Sequence, residues 1–388
     1  MMSQLFLRLP ITALILAVIA VSPPAAAQSI ETAARQAIIT DFASGAVIME
    51  KNADELMVPS SMSKLMTVYM VFDKLKTGAW KPNDRLPVSE TVWKKHVKSG
   101  GSLMFLPVNS TATVEDLLKG VVIQSGNDAC SVLAEAYSGS EEAFGEEATR
   151  RSRQLGLTRS TFKNASGWPE PGHMMTARDL SVLSRHLIAD FPDYYPLFSQ
   201  MEFVFNGIKQ GNRNPLLYNT PGADGLKTGH TEAAGYGLTA SLKRGNRRII
   251  MVLNGLSSMK ERAEEARRLA EWAFREWETY PLFKAGDIVV PDAEVWLGEA
   301  ETVQLAAKDN LEVSMARKAR AEMKVTTVYT GPIPTPIAVG MEVGKIVVTA
   351  PGMAPVEMPL VATANVQKLG FTGRISAALR RIIWGQKK

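Results

Sequence analysis

The chain has 388 residues, of which 46% are hydrophobic, so its length and composition predict a globular protein of two or three domains with substantial cores. Its formal charge of +5 is modest and lies largely at the extreme C-terminus, which argues against a nucleic-acid-binding groove. A single cysteine excludes an intrachain disulfide, and the four histidines lack metal-ligand spacing, so we predict neither a metal nor another cofactor.

The first 27 residues have the three parts of a secretory signal peptide. Arg8 supplies the positive charge, residues 11–21 form the apolar run, and residues 25–27 match a small-residue cleavage site. An uncleaved membrane anchor is the alternative, but the apolar run is shorter than the roughly 20 residues of a spanning helix. We therefore predict a signal peptide over 1–27 and an exported mature chain that begins at about Gln28.

The region from 28 to 280 mixes both kinds of secondary structure. Period-two and helical patterns of apolar residues, with Gly and Pro at their ends, define the predicted elements. They are strands at 37–41 and 46–50, a helix from Ser61 to Gly78, helical segments on either side of Ser125 within 114–137, strands at 236–242 and 248–254, and a helix over 260–278. This order predicts an α+β catalytic domain, with helices packed on an antiparallel sheet.

The character of the sequence changes near Tyr280. From 283 to 361, short β-branched segments alternate with Gly and Pro turns, and a helix is indicated only over 315–321. We predict a small β-sandwich domain over 281–364.

The last segment, 365–388, is predicted to form an amphipathic helix. From Lys368 onward it carries six basic residues and no acidic one, and its apolar residues fall mainly on one side of a helical wheel, although Trp384 does not. A helix packed on its own domain and a partner-binding helix are alternatives. The flanking cations favour attachment to an anionic membrane surface, with the helix lying in the interface.

A Ser-x-x-Lys motif begins the first long helix. Because positions three apart share a helix face, the Lys64 amine can reach the Ser61 hydroxyl and activate it as a nucleophile if burial removes its own proton. The pattern recurs at Ser160 and Ser257, but both copies fall in polar stretches, where we expect solvated side chains. Only the motif at Ser61 is therefore assigned to chemistry.

Two further polar motifs follow along the chain. Ser-Gly-Asn at 125–127 supplies a hydroxyl and a carboxamide, which suit proton transfer and amide binding, although such a triplet is usually an ordinary turn. Lys-Thr-Gly at 227–229 can present a cation and a hydroxyl from a sheet edge, and its glycine leaves room for a substrate. A copy at 76–78 ends a helix, where glycine is a cap.

The three motifs occur in a fixed order about 60 and 100 residues apart, a much stronger signal than any one of them. With these motifs the chain resembles the low-molecular-mass penicillin-binding proteins of the D-alanyl-D-alanine carboxypeptidase type. The matching stretches are Thr40-Asp41 with Ser44-Gly45, and residues 58–67, 99–106, 125–129, 176–179, 212–214 and 224–230.

This resemblance implies a periplasmic serine peptidase on the outer face of the cytoplasmic membrane, with peptidoglycan stem peptides as substrates and β-lactam antibiotics as covalent inhibitors. It implies that Ser61 attacks the carbonyl of the penultimate D-alanine after Lys64 takes its proton. Ser125 would relay that proton to the leaving amine, Asn127 would hold the peptide amide, and Lys227 would keep the field near the serine positive.

The remaining residue roles implied by the resemblance concern substrate binding. Thr228 and Arg262 would bind the terminal carboxylate with support from Arg213, while Gly229 leaves space beside them. The oxyanion hole would consist of the backbone N–H groups of the nucleophilic serine and His230. For Arg262 a solvated position on a charged helix is an equally weighted alternative.

Two departures from the family pattern concern substrate preference. Residues 148–149 replace a usual Met-Asn pair, and Trp168 stands where leucine is usual after Gly167. The alternative functions are a β-lactamase and a catalytically idle cell-wall-binding scaffold. The β-lactamase requires a Glu-x-x-Leu-Asn motif that the chain lacks, and the scaffold is hard to reconcile with a complete set of catalytic side chains.

Overall fold

The computed structural model describes residues 30–371 and 373. The predicted signal peptide and most of the predicted membrane-surface helix lie outside these residues. The helix predicted from residue 365 is wrong over 365–370, because Val366 and Lys368 form β-bridges with Ile337 and Gly298 of the second domain. Within the described part of the chain, no helix has both the length and the apolar character needed to cross a bilayer. The described α-helices are α1 (Lys64–Lys76), α2 (Glu90–His96), α3 (Val114–Lys119), α4 (Asn127–Ser138), α5 (Glu141–Gln154), α6 (Ala177–Asp190), α7 (Leu216–Asn219) and α8 (Met259–Glu276).

The first domain is organised around a five-stranded antiparallel sheet. Its strands are β1 (Gln36–Asp41), β2 (Val47–Lys51), β7 (Ala223–Thr231), β8 (Gly235–Arg244) and β9 (Arg247–Leu256), in the order β2-β1-β9-β8-β7. Two small antiparallel sheets pair β3 (Arg85–Pro87) with β4 (Thr111–Thr113), and β5 (Glu202–Phe205) with β6 (Ile208–Gly211). The predicted strands and helices of this domain are present.

Both faces of the sheet are covered by helices. Along β9, Ile250 and Val252 join the core that contains α1 and α6, whereas Met251 and Leu253 join the core beneath α8. This alternation follows from the two-residue period of a strand. Because α1 lies between the sheet and other helices, it is buried on all sides from Lys64 to Phe72.

The second domain consists of a six-stranded and a two-stranded sheet around one apolar core, which confirms the predicted small all-β domain. Its strands are β10 (Trp277–Phe283), β11 (Ile288–Trp296), β12 (Thr302–Ala307), β13 (Leu311–Ala316), β14 (Lys324–Tyr329), β15 (Ile333–Pro334), β16 (Glu342–Thr349) and β17 (Val356–Ala362). The helix indicated over 315–321 is instead the end of β13 followed by a 3₁₀ turn at Arg317–Glu322.

A buried carboxylate connects the two domains. Asp41, at the end of β1, accepts hydrogen bonds from the Ser44 backbone N–H and hydroxyl at 2.9 Å each, and from the Thr279 hydroxyl on β10 at 2.7 Å. Arg247 on β9 pairs with the same carboxylate at 3.4 Å. The second domain is therefore fixed to the sheet of the first through a fully partnered charge.

Candidate active site

Ser61 lies in a 3₁₀ turn, Ser60–Ser63, that leads into α1, and not in the α-helix itself. The turn still places the Lys64 amine against the serine: Lys64 Nζ donates to Ser61 Oγ at 3.0 Å. The amine has two further acceptors, Asn127 Oδ1 at 2.7 Å and the Ser166 carbonyl at 2.5 Å. None of these three partners is charged.

The pKa of the Lys64 amine is low for a lysine. Its side chain is fully buried, and burial lowers the pKa of Lys64 from 10.5 to about 8, although the buried carboxylates of Asp128 and Glu141 act in the opposite direction. The desolvation expected from the buried helix is therefore present. A neutral amine in contact with a hydroxyl can act as its general base.

Ser125 ends a distorted helical turn. Helix α3 continues into a π-helical turn, Gly120–Gln124, which stops at Ser125 because this residue adopts a left-handed backbone with φ of +66°. Its hydroxyl faces the same cavity as Ser61, is buried, and has no hydrogen-bond partner among the described residues. An unpartnered buried hydroxyl is costly unless a ligand or water satisfies it, which suits a group that exchanges protons.

Asp128, to which the sequence assigned no role, positions one wall of the site. Its carboxylate accepts hydrogen bonds from the backbone N–H groups of Met104 at 2.8 Å and Leu106 at 3.2 Å. These bonds hold the loop that carries Gly101 and Ser102 against the start of α4. The loop is thereby fixed next to Asn127, whose own N–H donates to the Ser102 carbonyl at 2.7 Å.

Strand β7 supplies the Lys-Thr-Gly segment from the edge of the five-stranded sheet, as predicted. Lys227 is 2% exposed, and burial together with the charge of Lys64 holds its pKa well below the usual range. A side chain at Gly229 would lie 3.1 Å from the Pro59 carbonyl, so glycine lets the strand approach the turn that carries Ser61. The exposed His230 ring stacks on Tyr236 with centroids 4.0 Å apart.

The two arginines reach the cavity from different elements. Arg213 Nη1 donates to Ser102 Oγ at 2.6 Å. Arg262, in the first turn of α8, is only 6% exposed, and burial lowers its pKa to about 10. Its Nε has no hydrogen-bond partner among the described residues, and its guanidinium lies over the Tyr236 ring. The alternative of a solvated position for Arg262 is therefore wrong, because α8 packs this side chain inward.

Most of these groups line one cavity of about 520 Å³. Among its described lining residues there is no carboxylate, and the lysines 64 and 227 lie behind its wall. Residues 166–169 also line it, which the sequence motifs did not indicate. The predicted site residues in the lining are Ser61, Ser125, Asn127, Arg213, Thr228, Gly229, His230 and Arg262.

The other copies of the Ser-x-x-Lys and Lys-Thr-Gly motifs do not line the cavity. Ser257 is exposed as expected, but Ser160 is fully buried and donates to Asp179 at 2.7 Å, so the expectation that it is solvated is wrong. Its polar neighbours gave no sign of the packing that covers it. Gly78 takes a left-handed backbone just after α1, which confirms its predicted role as a helix cap.

Comparison with known proteins gives the family. A family model described as D-alanyl-D-alanine carboxypeptidase, peptidase S11, matches residues 20–257. The chain belongs to this family of serine peptidases. A second family model matches residues 277–368 of this carboxypeptidase, and it is described as the C-terminal domain of penicillin-binding protein 5. The first match covers the first domain up to the end of β9 and leaves out α8, and the second covers the β-domain.

Some relatives match about nine-tenths of this carboxypeptidase and others match about two thirds of it. It is 38% identical to D-alanyl-D-alanine carboxypeptidase DacC of Escherichia coli over 90% of this chain and 89% of that protein. The crystal structure of penicillin-binding protein 5 from Haemophilus influenzae superposes with a TM-score of 0.82 at 33% identity, covering 88% of this chain and all of that one. Penicillin-binding protein D2 from Listeria monocytogenes, solved with cefotaxime bound, matches 63% of this chain and 99% of that one at 27% identity and a TM-score of 0.58.

Proposed function

We propose that this carboxypeptidase removes the terminal D-alanine from peptidoglycan stem pentapeptides through an acyl-enzyme on Ser61, and that penicillin acylates the same hydroxyl. The observation that carries the proposal is the contact between Ser61 Oγ and a fully buried amine with a pKa of about 8, 3.0 Å away. In its neutral form Lys64 can accept the hydroxyl proton across this contact.

The first half of the reaction forms an ester and releases D-alanine. Ser61 Oγ attacks the carbonyl carbon of the penultimate D-alanine, and its proton passes to Lys64. The backbone N–H groups of Ser61 and His230 stabilise the resulting oxyanion. When the peptide C–N bond breaks, Ser125 delivers a proton to the leaving amine, and Lys64 restores the proton of Ser125. Water then hydrolyses the ester and regenerates the serine.

The substrate is held from both sides of the scissile bond. Asn127 binds the amide on the acyl side, while Thr228 and Arg262, supported by Arg213, bind the carboxylate of the leaving residue. Gly229 leaves space for the substrate backbone next to β7.

The protonation states of the two buried amines are linked. Because Lys64 and Lys227 are both buried and close enough for their charges to interact, adding a second proton to the pair is unfavourable. A proton on Lys227 therefore favours the neutral form of Lys64, which is the form that can act as a base. The charged member keeps the field near Ser125 positive, and the neutral member serves as the base.

The cavity disfavours a β-lactamase. Rapid hydrolysis of a penicilloyl ester needs a carboxylate that activates water, and the described lining residues include none. The acyl-enzyme formed with penicillin therefore persists, which makes the protein a target of the antibiotic.

Mapping the adduct tests this proposal. Purified protein is incubated with penicillin and digested, and the modified peptide is identified by mass spectrometry. We expect the added mass on the peptide that contains Ser61, and we expect the unmodified protein to release D-alanine from a peptide that ends in D-alanyl-D-alanine. An adduct on any other peptide, or intact protein that releases no D-alanine, would contradict the proposal.

The proposed cellular location rests on the sequences of the two terminal segments. We propose export directed by residues 1–27, a catalytic domain over 28–280, a β-domain over 281–364 whose first strand begins slightly earlier, at Trp277, and periplasmic attachment to the outer face of the cytoplasmic membrane through 365–388. The support is the sequence pattern of cations around one apolar stripe.

Deletion of residues 371–388, which keeps the buried Val366 of the β-domain, should move the protein from the membrane fraction to the soluble periplasmic fraction. Both the apolar stripe and the cations that attract anionic lipids are lost in this variant. Replacement of Arg380 and Arg381 by lysine is the matched control, and it should leave the protein on the membrane because the charge is kept. Unchanged fractionation of the deletion variant would rule out anchoring by this segment.

A further inference from the structure

Trp168 presents an aromatic ring to the cavity from a rigid loop. The side chain is 49% exposed although it lines the site. Its backbone is fixed on both sides, because its N–H donates to Ser166 Oγ at 3.2 Å and its carbonyl accepts from Asn164 Nδ2 at 3.0 Å. The next residue is Pro169, which restricts the backbone further. The backbone that carries the ring is therefore held in place before any ligand binds.

The loop is also tied to α1, the helix that directly follows the turn with the nucleophile. Thr67 on α1 donates to the Ala165 carbonyl at 2.6 Å, and Lys64 donates to the Ser166 carbonyl at 2.5 Å. Further along, the His173 ring contacts the Ser63 hydroxyl at 3.0 Å. The position of Trp168 relative to Ser61 is thus set by buried contacts and does not depend on a mobile surface loop.

The ring lies on the side of the cavity that Asn127 occupies. A side-chain carbon built at Gly101 would lie 2.6 Å from Asn127 Nδ2 and 3.0 Å from Cζ3 of Trp168. The carboxamide and the indole therefore converge on this glycine. Asn127 is the group proposed to bind the acyl half of the substrate, whereas Thr228 and Arg262 are proposed to bind the leaving half. Trp168 accordingly flanks the acyl half.

We infer that Trp168 determines specificity for the acyl half of the substrate, by packing against the apolar part of the residue that precedes the two D-alanines. The same ring packs against the aromatic acyl side chain of benzylpenicillin. This inference rests on the proposed function. A rigid indole offers a large apolar face at a low cost in side-chain entropy, so long aliphatic and aromatic groups gain from it and small groups do not.

The experiment compares paired substrates that differ only in that group. One pair is diacetyl-L-lysyl-D-alanyl-D-alanine and acetyl-L-alanyl-D-alanyl-D-alanine, and the other is benzylpenicillin and its acetamido analogue, in which a methyl group replaces the benzyl group and the amide is kept. We expect Trp168→Leu to reduce the preference for the larger member of each pair, as a ratio of kcat/KM or of acylation rates, by about threefold to tenfold. Trp168→Phe should give an intermediate ratio.

The control is Trp93→Leu, which removes a partly exposed tryptophan of α2 that does not line the cavity, and it should leave both ratios unchanged. Circular dichroism verifies that each variant is folded. If Trp168→Leu keeps the wild-type ratios while Ser61 is still acylated, the inference is overturned. This holds both when the rates for the two members of a pair fall equally and when neither rate falls. If wild-type Ser61 is not acylated, the proposed function fails, and the inference fails with it.

Discussion

Replacement of Lys64 by methionine is expected to slow acylation of Ser61 by penicillin by about 10²- to 10⁴-fold, the usual contribution of a general base. Methionine fills a similar unbranched volume in the buried site but cannot accept a proton. Stopped-flow measurement of acylation gives the rate, and Ser61→Ala, which lacks the nucleophile, gives the background of the assay. A Lys64→Met rate within tenfold of the wild type would exclude this lysine as the base.

The pH dependence of the same rate separates a base from a structural lysine. Because the neutral amine is the active form, wild-type acylation should rise with pH through an apparent pKa near 8, with about a tenth of Lys64 neutral at pH 7. Lys64→Met should lose this rise between pH 6 and 9. If the pH profile of Lys64→Met keeps the wild-type shape, the titrating group is not Lys64. Lys227, whose pKa is also lowered by burial, is then the next candidate.

The Lys64→Met variant should remain folded, which keeps its loss of activity interpretable. A lysine whose pKa falls from 10.5 to about 8 on folding costs roughly 3 kcal/mol below pH 8, because the unfolded chain binds the proton more tightly. Methionine removes this cost but leaves two buried acceptors, Asn127 Oδ1 and the Ser166 carbonyl, without their donor, at about 1 to 3 kcal/mol each. The two effects are of similar size. For the wild type, the free energy of unfolding should rise between pH 8 and 10.5.

The sequence was sufficient for those parts of the site that depend on local pattern. The order of the three motifs identified Ser61, Ser125 and Lys227, and apolar patterns located the neighbouring strands β8 and β9, although strand β7, which carries the third motif, was not predicted. These features are encoded by side-chain type and spacing. The structure brings all three motifs to one cavity, as the family resemblance implied.

The remaining parts depend on packing between distant segments. The Ser166 carbonyl that binds Lys64 is a backbone atom 102 positions away, and a backbone atom has no residue-type signature. Burial of Ser160 and Arg262 is set by what packs over them, so their polar local sequence suggested solvent for the first and left the second undecided. Helical periodicity likewise could not distinguish the 3₁₀ turn at Ser61 from the first turn of α1.

Gly167 is expected to be the least replaceable glycine beside the nucleophile. It has a left-handed backbone with φ of +73°, and a side-chain carbon there would lie 2.0 Å from the Ser60 carbonyl oxygen and 2.7 Å from Ser63 Oγ. Because the first contact is with backbone, Gly167→Ala must displace either the 164–173 loop or the turn that carries Ser61. Either displacement moves the Ser166 carbonyl relative to the Lys64 amine.

Gly172→Ala is the matched control for this change, since it lies on the same loop with φ of +83° but would meet only the end of the flexible Lys163 side chain, at 3.3 Å. Both variants incur about 1 kcal/mol of left-handed strain. Only Gly167→Ala adds overpacking of about 1 to 3 kcal/mol, and we expect it to lose acylation activity by about 10²-fold as misplaced catalytic groups do. Thermal unfolding and acylation rates measure the two effects. Equal behaviour of the two variants would mean that the loop yields to the added methyl group without disturbing Ser61.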